Sequence, residues 1–466
     1  MKVQMKNLLQ IASVVLLVFS SVGVKAQIKD TGEISSKEAL TDSPIKFSLE
    51  EAQKYALENS FMVKGSDYDL KVAKRKVWEA ISTGLPQVKA SANYSKNLDI
   101  AVSLLPAEFF GGNAGEYTPV KFGQTYTSAA TVNVDQKIFD GSYIVGLGAA
   151  KVFVQLSQNT KTKSEIDVRD LVAQAYYNVL VARENYKTIE ENVAITKKTH
   201  FETKAYYENG FREELDVDQV MLMLKRSENQ LSDAKRAISN ALIMLKFTMG
   251  YDIEKDIELN NNLETFINPL LISKTESKKL DLENHIDYKI VDTQLKAQKL
   301  IIRNEQAGYL PNLSAFYSYG KNTSADAWNV YKSNVPWFKS SMVGLKISMP
   351  IFTGFNRRSK IKQEKINYKK IEDLKYNTEQ SLKKDLSLSY NSLVNAKDTY
   401  ENDLKGLEIA KRIYERTLVK FNEGVSTSTE LSNNEQQYLN SHSAYINATL
   451  NLLNSKIAFD KALGKL

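Results

Sequence analysis

Large apolar residues recur every seven positions along much of the chain. Val172, Val179, Tyr186, Val193, His200 and Tyr207 keep this spacing, and so do Leu386, Leu393, Tyr400, Leu407, Tyr414 and Phe421. A second run follows each: Val217, Leu224, Leu231, Ile238 and Leu245, then Leu431, Tyr438, Tyr445, Leu452 and Phe459. Three residues after members of these runs stands a mostly small residue: Val220, Ser227, Ala234 and Ala241, then Asn434, Ser441, Ala448 and Ser455. Large alternating with small makes a knobs-into-holes seam with close helix approach. A sustained period of seven means supercoiled helices rather than a globular core. Leu224, Leu231, Ala234, Tyr438, Tyr445 and Ala448 are the expected centre of that seam. Proline is absent from Val120 to Asn268 and from Ile351 onward, so helices there run unbroken. They are predicted at about 142–209, 212–248, 355–421 and 426–463. At 1.5 Å per residue the first is on the order of 100 Å long.

Four short segments change to a period of two. Val88, Ala90, Ala92 and Tyr94 alternate with polar residues; so do Ala130, Val132 and Val134. Leu313, Ala315, Tyr317 and Tyr319 form a third set, and Val343, Leu345, Ile347 and Met349 a fourth. These predict strands at about 86–96, 126–137, 311–321 and 340–350. Their length suits a tilted membrane strand. Tyr94, Phe109, Phe110, Tyr126, Trp328, Trp337 and Phe338 lie near their ends and loops, like an interfacial girdle. A water-soluble sheet with one wet face is the alternative, but the sequence offers no other core elements to cover it. In lipid a sheet has no open edge, and barrels need about eight strands or more. One chain supplies four, so further copies must complete the cylinder, and a homo-oligomer is expected.

The chain is duplicated. Ile138-Phe139-Asp140-Gly141 matches Ile351-Phe352-Thr353-Gly354, Tyr207–Gly210 matches Phe421–Gly424, and Gly250 matches Gly464, at offsets of 213, 214 and 214. Gly84-Leu85-Pro86-Gln87-Val88 matches Tyr309-Leu310-Pro311-Asn312-Leu313 at 225. The expected layout is a first repeat over 47–250, a connector over 251–279 and a second repeat over 280–466. Each repeat reads as helix, strand, strand, helix, helix. The opening helix starts at Ser48, with Glu51 completing a capping box, and its counterpart spans Ser277 to Ala307.

The first residues read as an export signal, with Lys2 and Lys6 before the apolar run Leu8–Phe19 and Val24-Lys25-Ala26 as the cleavage site. Segment 1–26 is thus a signal peptide and 27–46 an extension. Its removal takes the net charge from +7 to +4, too mild for nucleic acid. The 466 residues include no cysteine, so disulfides, thiolate catalysis and lipidation of a new N-terminus are excluded.

The duplicated layout resembles the TolC outer-membrane factors across nearly the whole mature chain. The resemblance rests on the opening "FSLEEAQKYALENS", the strand entries "GLPQV" and "YLPNL", "IFDG" and "IFTG" after the returning strands, the tips "YENG" and "FNEG", and the closing "ALG". It implies a mainly α fold with membrane β: a trimer sharing a twelve-stranded barrel, above a long antiparallel coiled-coil α-barrel in the periplasm. It further implies docking to a periplasmic adaptor and an inner-membrane pump or ABC exporter, with drugs, small toxic molecules or unfolded proteins as cargo.

Site residues follow from the same resemblance. Adaptors contact the Gly-containing turns, here Gly210, Phe211, Arg212, Gly424, Val425 and Ser426. In relatives acids on the second hairpin ring the lumen. Glu430 matches the first such position, Asn433 stands where a second acid is common, and Asp216 is the first-repeat equivalent. An acid in a helix's first turn also complements the helix dipole, so a capping role competes with a gating role. Some relatives tether the closed state with an arginine where this chain has Ser426; Arg212 occupies that place in the first repeat.

No catalytic or cofactor site is expected. His200, His285 and His442 lack ligand spacing, "FFGGNAG" at 109–115 lacks the lysine of a phosphate loop, and no nucleophile motif appears. An exported coiled-coil scaffold and a periplasmic adaptor are the competing readings; adaptors carry one hairpin, whereas this chain carries two.

Overall fold

The computed structural model describes residues 45–272, 280–332 and 335–465; the expected signal peptide and extension, up to Pro44, lie outside them. In chain order the elements are β1 (Ile45–Phe47), α1 (Leu49–Asn59), α2 (Phe61–Ser82), β2 (Gln87–Lys96), β3 (Val102–Pro106), a 3-10 turn (Ala107–Phe110), β4 (Tyr117–Lys121), β5 (Tyr126–Phe139), α3 (Gly141–Glu208), α4 (Glu214–Met249), β6 (Ile257–Leu259), α5 (Glu264–Ile272), α6 (Ile286–Ala307), β7 (Asn312–Ala325), β8 (Phe338–Ser348), α7 (Asn356–Asn422) and α8 (Ser428–Ala462).

The four long strands form one antiparallel sheet in the order β2-β5-β7-β8. The register pairs Val88 with Val134, Val134 with Tyr317, and Tyr317 with Val343. All four period-two sets therefore fall on one face. The opposite face carries Lys89, Ser91, Asn93, Thr131, Asn133, Ser318 and Gly344. The helices below keep the same lateral order, because α2 packs on α3, α3 on α6 and α6 on α7. Each strand continues directly into, or out of, the helix beneath it. At the far end α3–α4 and α7–α8 are hairpins, joined where α3 meets α8.

Helices α3 and α7 have 68 and 67 residues, about 100 Å each. The heptad residues Val172 and Val179 are fully buried. Farther along α3 the burial passes to Ile189, Asn192, Thr196, Thr199 and Thr203, while Tyr186, Val193 and His200 are only half-buried. A helix that forms part of a wall has a neighbour on each side and needs two seams; a single heptad set describes one of them.

Between strands and tips lies a compact waist. There β1 pairs in parallel with β6, and Phe47, Tyr55 and Tyr251 meet ring to ring with centroids 5.6–6.0 Å apart. The Tyr176 hydroxyl donates to the Phe47 carbonyl at 3.0 Å. Ser48 caps α1 with the reciprocal Glu51 bond.

The structure differs from the sequence reading in three places. The first helix is broken at Ser60, which ends α1 and caps α2 through Val63 N–H. Gly250 packs into this break with φ +70°; a Cβ there would lie 2.5 Å from the Asn59 carbonyl oxygen. The second-repeat counterpart begins at Ile286, capped by the His285 ring, not at Ser277, which lies outside the described residues. Finally, a small β3–β4 hairpin, which the alternation of residues did not mark, spans 102–121, with the glycine-rich segment at its turn.

Candidate functional site at the hairpin tips

Both long hairpins turn on the same device. In the first, Gly210 N–H donates to Tyr207 O and Phe211 N–H to Tyr206 O. In the second, Gly424 N–H donates to Phe421 O and Val425 N–H to Lys420 O. These paired bonds define a Schellman turn, which needs a left-handed residue; Gly210 and Gly424 supply it with φ +79° and +80°. The motif usually tucks the next side chain back onto its helix. Here Phe211 and Val425 are instead 78 % and 73 % exposed.

The tips are tied together within the chain. The Arg212 guanidinium lies 4.1 Å over the Phe421 ring and donates to the Phe421 carbonyl oxygen, and it pairs with Asp216 at 3.6 Å. Asp216 is thus engaged rather than free. Gln219 Oε1 accepts from Ser428 Oγ at 2.6 Å and Thr429 Oγ1 at 3.1 Å. Beneath, Val220 and Met223 pack with Tyr414, Phe421, Leu431, Tyr438 and Leu439. Gln219, which the sequence pattern did not mark, and Phe421, marked there only by its heptad spacing and repeat match, join the two hairpins. Their partners lie some 209 positions away, so no local pattern marks these contacts.

Glu430 is exposed near the start of α8. Its N–H is capped by Thr427 Oγ1 at 3.2 Å, and its carboxylate accepts from buried Ser426 at 2.6 Å. Asn433, one turn on, is also exposed. Of the expected seam residues, Leu224, Ala234, Tyr438 and Ala448 are buried while Leu231 and Tyr445 are half-buried. Tyr438 stacks on Tyr414 at 5.5 Å, and Tyr445 meets Tyr400 at 5.6 Å.

A polar cluster lies deeper between α3, α4 and α8. Glu435, 5 % exposed, accepts at Oε1 from Asn192 Nδ2 (2.9 Å), Thr196 Oγ1 (2.9 Å) and Ser227 Oγ (3.5 Å). Burial, and then the Glu435 charge, hold the Tyr414 phenol well above its usual range. His442, buried near a cleft of about 200 Å³ lined by Glu184, Lys187, Glu191 and Lys411, is pushed down to about 4 by desolvation. Among the described residues no group of three His, Cys, Asp or Glu side chains is placed to hold a metal, and no helix is long and apolar enough to cross a membrane.

Residues 53–251 and 282–465 match the sequence model of the outer membrane efflux protein family. The chain belongs to this family. The match falls in two segments, separated by residues 252–281. The chain is 23 % identical over 362 residues to outer membrane protein TolC of Vibrio cholerae, covering 72 % of this chain and 77 % of that one. In fold it is similar to the CmeC outer membrane channel of Campylobacter jejuni, with a TM-score of 0.68 and 19 % identity over 92 % of this chain and 90 % of that one. It is likewise similar to VceC of Vibrio cholerae, at 0.67 and 16 % identity over 89 % and 96 %. As an efflux family member the chain is a channel of the Gram-negative outer membrane that extends into the periplasm and works with adaptors and pumps. The family is one of ducts, not of enzymes.

Proposed function

We propose that three copies close one shared barrel and one helical duct, with the tips of α3–α4 and α7–α8 as the periplasmic mouth. The observation that carries this is the sheet: β2 and β8 are both edge strands, and one face across all four strands is apolar. Lipid cannot satisfy the free N–H and C=O groups of two open edges. Joining β8 of one copy to β2 of the next removes both, and three copies reach twelve strands.

The adaptor docks on the two Gly turns, where exposed Phe211 and Val425 offer apolar contacts that the turns themselves do not use. Glu430 and Asn433 line the constriction, and Arg212 latches it by holding Phe421. Outer-membrane lipid surrounds the apolar sheet face. The cargo passes through; the pump selects it.

The test is a bilayer recording combined with an export assay. The detergent-extracted chain should run as a heat-modifiable oligomer and conduct ions. Phe211→Asp with Val425→Asp should leave assembly and conductance intact while abolishing export in cells. A monomeric particle, or full export by the double variant, would overturn the respective half of this reading.

A further inference from the structure

One level of the sheet carries charge on its apolar face. Lys96 closes β2 eight residues beyond Val88, and Lys321 lies eight residues beyond Leu313 in β7. In β8, Lys339 stands eight residues before Ile347, and in β5 Tyr126 stands eight before Val134. An even step keeps the face, so these four side chains share the side occupied by the apolar sets. Within the sheet Lys96 faces Tyr126 and Lys321 faces Lys339, on rungs four residues apart because Lys321 faces Ala130 across β5. The duplication repeats the strand pair with this stagger, as tilted barrel strands require, and so brings both pairs to one height. Lys96 and Lys321 each stand ten residues after the strand-entry prolines, Pro86 and Pro311; Tyr126 and Lys339 each stand twelve before Ile138 and Ile351. The neighbouring positions of the other face are Ser95, Thr127, Asn322 and Ser340, none of them charged.

The height is that of a membrane interface. Eight residues travel about 27 Å along a strand, or about 21 Å along the normal at the usual tilt, close to the ~25 Å apolar band of such barrels. Aromatic rings mark the same level. Tyr94 stacks on Tyr126 at 6.0 Å and meets Tyr331 at 5.9 Å, and Tyr331 meets Trp337 at 6.4 Å. Lys96 Nζ sits 5.8 Å over the Tyr126 ring.

The lysines have charge to spare. None of the three forms an ion pair among the described residues. Lys321 and Lys339 are direct cross-strand partners, an arrangement of like charges that destabilises a sheet unless an anion lies between them. Water on the lumen side is out of reach, because the side chains leave the sheet on the face turned to lipid.

We infer that Lys96, Lys321 and Lys339 form an outward-facing basic ring that binds the phosphate groups of a phosphorylated lipid headgroup in the outer leaflet. This rests on the outer-membrane reading above. In a closed trimer the ring repeats three times, so each pair of strands offers a lysine to one headgroup while its acyl chains lie along Tyr317, Val343 and Leu345. The ring anchors the barrel at a fixed depth and supplies the counter-charge that the Lys321–Lys339 pair lacks.

The experiment uses the full-length oligomer in nanodiscs doped with a bisphosphorylated glycolipid or its dephosphorylated form, followed by detergent delipidation and native mass spectrometry. The wild type should retain the phosphorylated lipid and lose the dephosphorylated one. Lys96→Gln, Lys321→Gln and Lys339→Gln, made singly, should each lower retention about fivefold, and the three Lys→Arg substitutions should preserve it. Equal retention by wild type and Gln variants that still conduct ions overturns the ring alone. Release of the lipid by millimolar inorganic phosphate overturns the commitment to a lipid and leaves a free-anion site. A chain that neither inserts nor conducts overturns the outer-membrane reading itself.

Discussion

Arg212, at the start of the second half of one hairpin, grips Phe421 at the end of the first half of the other, by ring face and by carbonyl. The two residues belong to different repeats, so the bond ties together the halves of a duplicated chain at the end farthest from the membrane.

Removing this latch should open the mouth. An arginine stacked on an aromatic ring and bonded to a carbonyl contributes roughly 1–3 kcal/mol. Arg212→Ala should therefore raise the open population about tenfold, read as open time in single-channel recordings of the reconstituted oligomer. Arg212→Lys should restore little, since an ammonium neither stacks nor forks in the same way. Unaltered gating in the alanine variant would remove the latch from the mechanism.

Glu430 should set the ionic preference of the constriction. Glu430→Gln should reduce the cation preference measured by reversal potential in a salt gradient, and Asn433→Asp should increase it, because a second acid would join the ring. If neither variant shifts the reversal potential, Glu430 acts only through its contact with Ser426 and the helix dipole.

The Glu435 cluster should be structural. Glu435→Ala removes the acceptor shared by Asn192, Thr196 and Ser227, but Thr196 keeps the Asn192 carbonyl and Asn192 keeps Ser227, so the loss should be about 1–3 kcal/mol. Glu435→Gln keeps an acceptor and should cost less than half of that. Thermal unfolding of both variants in detergent separates them, and equal losses would indicate that the carboxylate charge itself matters.

His442 should make stability fall in acid. Its imidazole is held neutral, with a folded value of about 4 against an ordinary 6.5. The unfolded chain therefore takes up a proton that the folded chain refuses between those values. The contribution is complete above pH 6.5 and declines as the pH drops toward 4, by up to about 1.4 kcal/mol per unit. The other ionisable groups around it, Glu184, Glu191, Lys187 and Lys411, line the same cleft. His442→Gln should flatten the melting temperature over this range; an undiminished slope would assign the acid sensitivity to those carboxylates.

Much of the fold was legible because its signals are periodic. The seven-residue spacing of Leu386 to Phe421 and the two-residue alternation of Leu313 to Tyr319 each repeat enough to be read without partners. The β3–β4 hairpin escaped notice because Pro106 and Pro119 sit inside it and mask the alternation. The break at Ser60 has one local mark, the capping serine itself; the packing of Gly250 into it from a distant helix end leaves none. The same holds for the site. Gly210 and Gly424 announce their turns in the sequence, whereas Arg212 on Phe421 and Asn192 on Glu435 are meetings between positions more than 200 residues apart.

The sheet has two unlike borders. Because β2 and β8 differ, each junction between copies would be head-to-tail, and a ring closes only when every member offers both. A chain spoiled along β8 alone would still offer a sound β2 to a neighbour. It would enter assemblies and stall them, so that a minority of damaged copies silences a majority of intact ones.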